Sequence, residues 1–567
     1  MKKKTLTYYL LTGMLFFSAG LRTAWTQVVL DEVEARRLVE QTLVVTDRET
    51  YCANEDILFL SRNISDENLQ DRDWSNVLYL ELVAPDGTVI VQSKYAYDDG
   101  ATGALTIPRW VLTGNYYLRA YTRWMRDFSS YEYFYKMIRI INPFRSDLLA
   151  PTVSQTEREE QVISSLAQSK DWELKINKQN FTKREFVELE FQSPARGDEE
   201  LEIVVSVIRK GTEEPLIPKL GQAGKFSFSP DFIPETRGVS VSGKVVQEVD
   251  SRPVPYTLVG LTIFKDNPEN LNLLTDENGR FYFDLSKLKG THEIFISAKV
   301  ATENQQAVIL VDNDFLSKQT RLPFVRMDFS DSRRNLYETL SFTSQMQTLY
   351  REQTNVDAEQ AFSSDSSFYG DPDFTLDFDE YITLPSVEEY LHELVPRVRV
   401  MSENNAKRLQ VVGTDSELNI YDPLVLVDMV SVFDVKTVLA LDPEKLKRLE
   451  VISKPYVRGD ITYGGIVSFF SRKGDLAGID LPSTGRFINY SMFSDDSRDA
   501  ADKKLAGEHI PDLRNCLYWN PSLQFDESGS ASLEFNTGDN TGEYMVVVRA
   551  VNEQGQVQVA TTEFRIE

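Results

Sequence analysis

Only three histidines and two cysteines occur in 567 residues. His292, His392 and His509 stand far apart, so a three-ligand metal site would have to gather all of them from separate parts of the chain. His392-Glu393 is followed by Pro396 where the zinc-peptidase pattern needs its second histidine. No Gly-x-Ser-x-Gly elbow and no phosphate-cradling glycine loop is present. Cys52 and Cys516 lie almost a whole chain apart and give no disulfide framework. An exported protein could pair them, but two unpaired, buried thiols are the expectation. Positive charge is short too: 61 Lys and Arg against 87 Asp and Glu leave −26. That argues against nucleic-acid binding and direct adsorption to anionic lipid, both of which need cationic patches. No apolar run beyond the first two dozen residues could cross a bilayer as a helix. The sequence therefore assigns no catalytic residue, no cofactor-binding residue and no metal ligand, and no cofactor is expected.

What is present begins with an export signal. Lys2, Lys3 and Lys4 precede an apolar stretch from Leu6 to Leu21, and the chain turns polar around Arg22–Gln27. This reads as a signal peptide over 1–27. The cleavage site is untidy, since Ala24-Trp25-Thr26 is no small-x-small signature. The apolar stretch is nevertheless short for a membrane anchor, and no cysteine near it offers a lipid attachment point. The length implies roughly four or five domains. The abundance of Tyr (25) and Phe (32) suits sheets better than bundles. The expected fold class is mainly β, as tandem β-sandwiches with one small α+β domain.

Residues 28–145 read as one sandwich. A short amphipathic helix over Asp31–Gln41 leads to strands at Leu43-Val44-Val45 and Ile57-Leu58-Phe59-Leu60. Pro85-Asp86-Gly87 makes a hairpin turn between Leu78–Val83 and Thr88–Val91. A long strand runs from Tyr116 to Trp124. Its alternation puts Tyr117, Arg119, Tyr121 and Arg123 on one face, with Tyr116, Leu118, Ala120 and Trp124 on the core side. The Tyr/Arg face is either an interaction surface or, as is commoner, covered by a neighbouring strand or domain. The stretches Tyr51-Cys52-Ala53-Asn54-Glu55-Asp56-Ile57 and Thr113 to Met125 resemble the second macroglobulin-type domain of the alpha-2-macroglobulin family, as found in large exported proteins of Bacteroidetes-like bacteria.

Alternating runs at Phe186–Phe191 and Ile203–Ile208 point to a second sandwich over 168–235. In 237–315, Val241-Ser242-Gly243-Lys244-Val245, Pro253-Val254-Pro255 and Thr275-Asp276-Glu277-Asn278-Gly279-Arg280-Phe281 resemble the carboxypeptidase-regulatory-like domain. The resemblance implies a small seven-stranded sandwich without peptidase chemistry, used as a spacer or interaction module. Residues 316–382 break the β pattern. Asp331–Glu352 carries Leu336, Leu340, Met346 and Leu349 at helical spacing, and Val356–Glu380 is an acidic stretch with no basic residue. Asp371-Pro372-Asp373 has the spacing of two calcium ligands but lacks the third ligand and the glycine of a loop motif. A solvated linker is the expectation there.

Residues 383–480 read as an α+β unit. Ser386-Val387-Glu388-Glu389 is a capping box, and Val387, Tyr390, Leu391 and Leu394 form one helix face ended by Pro396. Strands follow at Val398, Leu424–Val427, Leu449–Ile452 and Ile466–Phe470, with a helix starting at Asp442-Pro443-Glu444. Pro423-Leu424-Val425-Leu426-Val427-Asp428, Leu441-Asp442-Pro443 and Tyr463-Gly464-Gly465-Ile466-Val467-Ser468 resemble the plug domain of TonB-dependent outer-membrane receptors. Met429 stands where that family has a glycine, which puts the turn geometry there in question. A last sandwich is expected over 505–567, where Asn515 to Pro521 and Gly542-Glu543-Tyr544 resemble a late macroglobulin-type domain.

Residues 481–567 are too few for the receptor's barrel of about 22 strands of at least nine residues each, so no pore from this chain surrounds the plug-like unit. A thioester protease trap needs Cys-x-Glu-Gln, yet Cys516 is followed by Leu517-Tyr518-Trp519 and Cys52 by Ala53-Asn54-Glu55. The expectation is a non-enzymatic cell-envelope protein, outer-membrane-associated or periplasmic, working beside envelope proteins such as an outer-membrane transporter or assembly complex. Any membrane contact would be indirect, through those partners. The alternative is a surface-exposed adhesin or ligand-binding protein.

Overall fold

Strand Val77–Val83 is buried at all seven positions, because its sheet lies between two other layers. In the computed structural model this strand is central to a five-stranded sheet in the order Thr50–Cys52, Phe134–Ile141, Gly114–Tyr121, Val77–Val83, Val89–Ala96. One face packs on a three-stranded sheet of Gln41–Thr46, Asp56–Ile64 and Ala101–Thr106. Val44, Ile57, Phe59, Leu80, Tyr116 and Leu118 fill that core. The other face, with Tyr79, Tyr117 and Tyr121, shares a second core with residues 239–325. A period of two normally gives one wet face; here both faces are dry.

The structure describes residues 40–567 apart from 65–74, 98–99, 153–156, 159–171, 193–200, 214–230, 266, 286–287, 300–305, 318–319, 352–367, 404–405, 414–419, 459–460, 480–483, 495–510 and 527. The expected signal peptide over 1–27, the helix over 31–39, the acidic residues 356–367 and His509 lie outside them. Gln41, assigned to that helix from sequence, opens a strand instead.

The long strand expected to reach Trp124 ends at Tyr121, and Trp124–Asp127 is a single 3-10 turn. Thr122 Oγ1 donates to the Glu40 carboxylate and Met125 N donates to Thr122 Oγ1, which curls the chain out of the sheet.

The middle sandwich stacks two sheets. Ser240–Gln247 lies between Arg280–Asp284 and Ala307–Val311, facing a four-stranded sheet in the order Glu269–Leu274, Leu258–Ile263, Thr291–Ala298, Arg486–Ser491. Six of its seven strands come from the expected stretch. The seventh, Arg486–Ser491, arrives from far along the chain and pairs antiparallel with Thr291–Ala298. Tyr490, Met492 and Phe493 close the core. Between the sixth and seventh strands the chain forms helix Asp331–Arg351 and an α+β unit.

That unit begins earlier than expected. Phe374–Asp377, within the stretch assigned to a linker, is an edge strand of a five-stranded sheet ordered Phe374–Asp377, Leu446–Ile452, Ile466–Ser471, Leu424–Val427, Val430–Ser431. Leu376 and Phe378 are buried, and the acids around them, Asp373, Asp377, Asp379 and Glu380, masked this alternation in sequence. Helix Val387–Leu394 is capped by Ser386, whose side chain accepts from Glu389 N. Asp442 caps only a 3-10 turn, Pro443–Lys445, because the chain enters strand Leu446–Ile452 at once.

The sandwiches expected over 168–235 and 505–567 are one. Leu201–Arg209 pairs antiparallel with Gly542–Asn552 on one side and Cys516–Asn520 on the other. Phe186–Gln192 pairs with Ser530–Asn536. The first segment alone has too few strands to cover Ile203, Val205 and Val207, which pack with Tyr544, Val546, Val548 and Phe564. The middle sandwich, the helix and the α+β unit are therefore inserted inside this composite sandwich, and the α+β unit is inserted in turn inside the middle one. Val45 and Leu60 of the N-terminal sandwich pack on Val204, Trp519 and Val551 of the composite one, so the two sandwiches share an apolar seam.

Candidate functional site

The Tyr/Arg face singled out in sequence is fully buried: Tyr117, Arg119, Tyr121 and Arg123 are each at most 1% exposed. Arg119 sits directly across the strand pair from Glu81 and donates from Nε at 2.7 Å. Arg123 donates from Nη1 to Ser240 O and Oγ, each at 2.8 Å, from Nη2 to Ser242 Oγ at 2.8 Å, and meets Glu235 at 3.3 Å. Glu235 also accepts from Tyr79 OH at 2.8 Å and from Ser240 N at 2.8 Å. Tyr117 OH donates to Pro323 O at 2.6 Å, and Leu316 N donates to Tyr121 OH at 2.9 Å. Alongside, Lys94 Nζ lies 2.6 Å from Asp314 and 4.2 Å from the Tyr490 ring centroid. Burial draws its pKa down while Asp314 opposes that shift. Of the two uses the sequence allowed for this face, covering by a neighbouring domain is the one found. Arg119 and Glu81 pair within one sheet, while Arg123 and Lys94 tie the N-terminal sandwich to the middle one.

At the edge of this junction Asp127 accepts from Asp231 N at 2.9 Å and from Phe232 N at 3.1 Å. Burial nevertheless pushes its pKa up to about 7. An acid whose folded pKa exceeds its unfolded value of about 4 stabilises most when protonated. The stability Asp127 contributes should therefore decline as pH rises from about 4 to about 7. Urea unfolding across that range should show a steeper decline for the parent chain than for Asp127→Asn. Identical pH slopes would exclude this role.

The α+β unit is held at one turn. Asp428 and Met429 both adopt positive φ, 45° and 66°, the left-handed region that favours glycine. Two features sustain it. The Asp428 carboxylate accepts from Ser471 N, Ser471 Oγ and Leu476 N at 2.6–2.7 Å. The Met429 side chain packs with Leu426, Tyr463 and Ile466, offsetting strain of about 1–3 kcal/mol. The Met429 carbonyl then accepts from Thr262 Oγ1 and Asn270 Nδ2, each at 3.2 Å, and Ser431 Oγ bonds Asn270 at 3.0 Å. A Cβ on Gly260 would lie 3.1 Å from the Phe433 ring, so that glycine permits the close approach of the two units.

Away from this anchor the α+β unit exposes large apolar side chains. Ile382 is 83% and Ile420 72% exposed, and Met401, Tyr421 and Val457 are also solvent-facing. Met401 lies opposite Arg408 in the hairpin of Val398–Glu403 and Ala406–Val411. Arg408 donates to Ile420 O at 2.9 Å and pairs with Asp422. Met401, Ile420 and Tyr421 therefore form one apolar patch around a guanidinium.

The residues weighed for chemistry stay apart. His292 Nε2 is 2.9 Å from Lys289 O on the middle sandwich, while His392 is exposed beside Glu393 on the α+β unit. Asp373 accepts from Ser453 N and Oγ at 2.7 and 2.8 Å, bonds that hold its pKa below the usual carboxylate range. Among the described residues no group of three His, Cys, Asp or Glu could hold a metal ion. Cys52 and Cys516 are unpaired, the first buried and the second partly exposed. Burial raises the pKa of both, which keeps them as weakly nucleophilic thiols.

Sequence reasoning missed a groove of about 420 Å³ between helix Asp331–Arg351 and the N-terminal sandwich, walled by Ile141, Leu148, Phe329, Tyr337 and Phe342. Of the apolar residues at helical spacing, Leu340 is buried and Leu336 and Met346 are half-buried. Leu349 is exposed, and the buried face is Tyr337, Leu340, Thr343, Ser344 and Thr348. Hydroxyl-bearing residues in that face hid it from an apolar-periodicity reading. The exposed Phe342 was the available signal.

No family model and no curated protein matches this chain. Among solved structures it is similar to Salmonella alpha-2-macroglobulin reacted with methylamine, at 10% identity and a TM-score of 0.22, over 93% of this chain and 39% of that one. It is likewise similar to Escherichia coli alpha-2-macroglobulin activated by porcine elastase, at 10% identity and a TM-score of 0.23, over 93% and 44%. The chain thus spans about two fifths of the length of the structures it is similar to.

Proposed function

We propose that this chain is a non-enzymatic interaction protein of the bacterial cell envelope, whose interlocked sandwiches hold the α+β unit out to a partner envelope protein. The carrying observation is the contrast within that unit. One turn is bonded to the middle sandwich through Met429 and Ser431, while Met401, Ile420 and Tyr421 stay exposed. Apolar side chains grouped around an arginine are the composition of protein-binding hot spots. The likeness of 383–480 to a receptor plug and of 237–315 to a regulatory-like module supports a place beside an outer-membrane transporter or assembly complex.

Cross-linking and pull-down from membranes should recover a partner with the parent chain. Met401→Glu combined with Ile420→Glu should cut recovery about tenfold, the loss of a modest hot spot. Recovery of only the free chain in both cases would end this reading. A surface adhesin would instead be digested by protease added to intact cells, whereas a periplasmic partner protein stays protected.

A further inference from the structure

The groove beside helix Asp331–Arg351 has a pattern of its own. The helix leaves residues 331, 334, 335, 338, 342, 345 and 349 exposed, a continuous stripe along its solvent side. Phe342 is 64% and Leu148 54% exposed at the groove rim. Arg334 and Glu338 line the same groove one turn apart, yet neither forms an ion pair among the described residues. A protruding ring, a hollow beside it and two unspent opposite charges share one face.

We infer that this face is a two-fold interface between two copies of the chain. In an isologous contact residue i meets j while j meets i, so the surface must be complementary to itself. Two antiparallel copies of the helix, related by an axis level with position 336, satisfy that condition. Arg334 of each copy meets Glu338 of the other, forming two ion pairs. The same register brings each Phe342 against the other copy's Phe329 at the groove wall. A lipid surface fits less well, because Glu338 balances Arg334 in the groove and the nearby Arg145 is paired with Asp147.

Sedimentation equilibrium of the full chain over micromolar to high-micromolar concentrations should show a monomer–dimer equilibrium. Phe342→Glu should weaken it by at least about tenfold, equivalent to about 1.4 kcal/mol. Arg334→Glu and Glu338→Arg should each weaken it severalfold, and the double charge swap should restore it, a rescue that a merely apolar patch would not show. All these side chains face solvent, so circular dichroism should be unchanged. A parent chain that stays monomeric throughout overturns the inference. A dimer indifferent to Phe342→Glu and to both single charge reversals overturns it equally.

Discussion

A chain ending after Pro511 is expected to lose the composite sandwich even though residues 173–213 are all retained. Leu201–Arg209 would lose both of its antiparallel neighbours at once, and Phe186–Gln192 would lose Ser530–Asn536. The deletion removes Leu517, Leu533, Tyr544, Val546, Val548, Phe564 and Ile566 from one core. At about 1.5–3 kcal/mol for each large buried apolar side chain, that loss is as large as the whole of the roughly 5–15 kcal/mol by which a domain is stable. Val204 would also lose Trp519 and Val551 at the seam with the N-terminal sandwich. Limited proteolysis should cut within 173–213 in the truncated chain and spare it in the parent. Excising 374–479 with a short linker is the contrasting experiment. All seven strands of the middle sandwich and both halves of the composite one remain, so protection at 173–213 should persist. A truncated chain that still protects 173–213 would show that the two segments do not depend on each other.

Arg123→Ala should cost about 3–5 kcal/mol, the range for removing one partner of a buried ion pair. The guanidinium is fully buried and bonds Glu235, Ser240 and Ser242. Its loss strands the Glu235 carboxylate, which stays buried with only Tyr79 and Ser240 as donors. Adding Glu235→Gln should recover part of that loss, because a neutral amide no longer needs a cation. Urea unfolding of the single and double variants measures both. A single-variant loss below about 1 kcal/mol, the scale of an exposed pair, would mean that the junction does not depend on this contact.

Local structure was largely legible where one physical signal acted alone. The hairpin turn at Gly87 has φ of 92°, as its Pro-Asp-Gly chemistry implied. The Ser386 cap, the helix from Asp331 and the strands at Leu424–Val427 and Ile466–Ser471 lie where periodicity put them. Readings slipped where two signals competed. Acidic residues around Leu376 and Phe378 made an edge strand look like a linker. The covering of the Tyr/Arg face, by contrast, was one of the two uses the sequence allowed, since a guanidinium given acceptors can be buried where an isolated one cannot; which element covers it was not legible.

By itself the sequence determined the mainly β class, the strand alternation, and the caps and turns. Those properties depend on residues a few positions apart. Only the tertiary structure decided that two distant segments build one sandwich, that Arg486–Ser491 completes another, and that Arg123 is a buried tie. Strand pairing across hundreds of residues depends on which apolar faces remain uncovered after local folding, and that is a property of the whole set of faces rather than of any one strand.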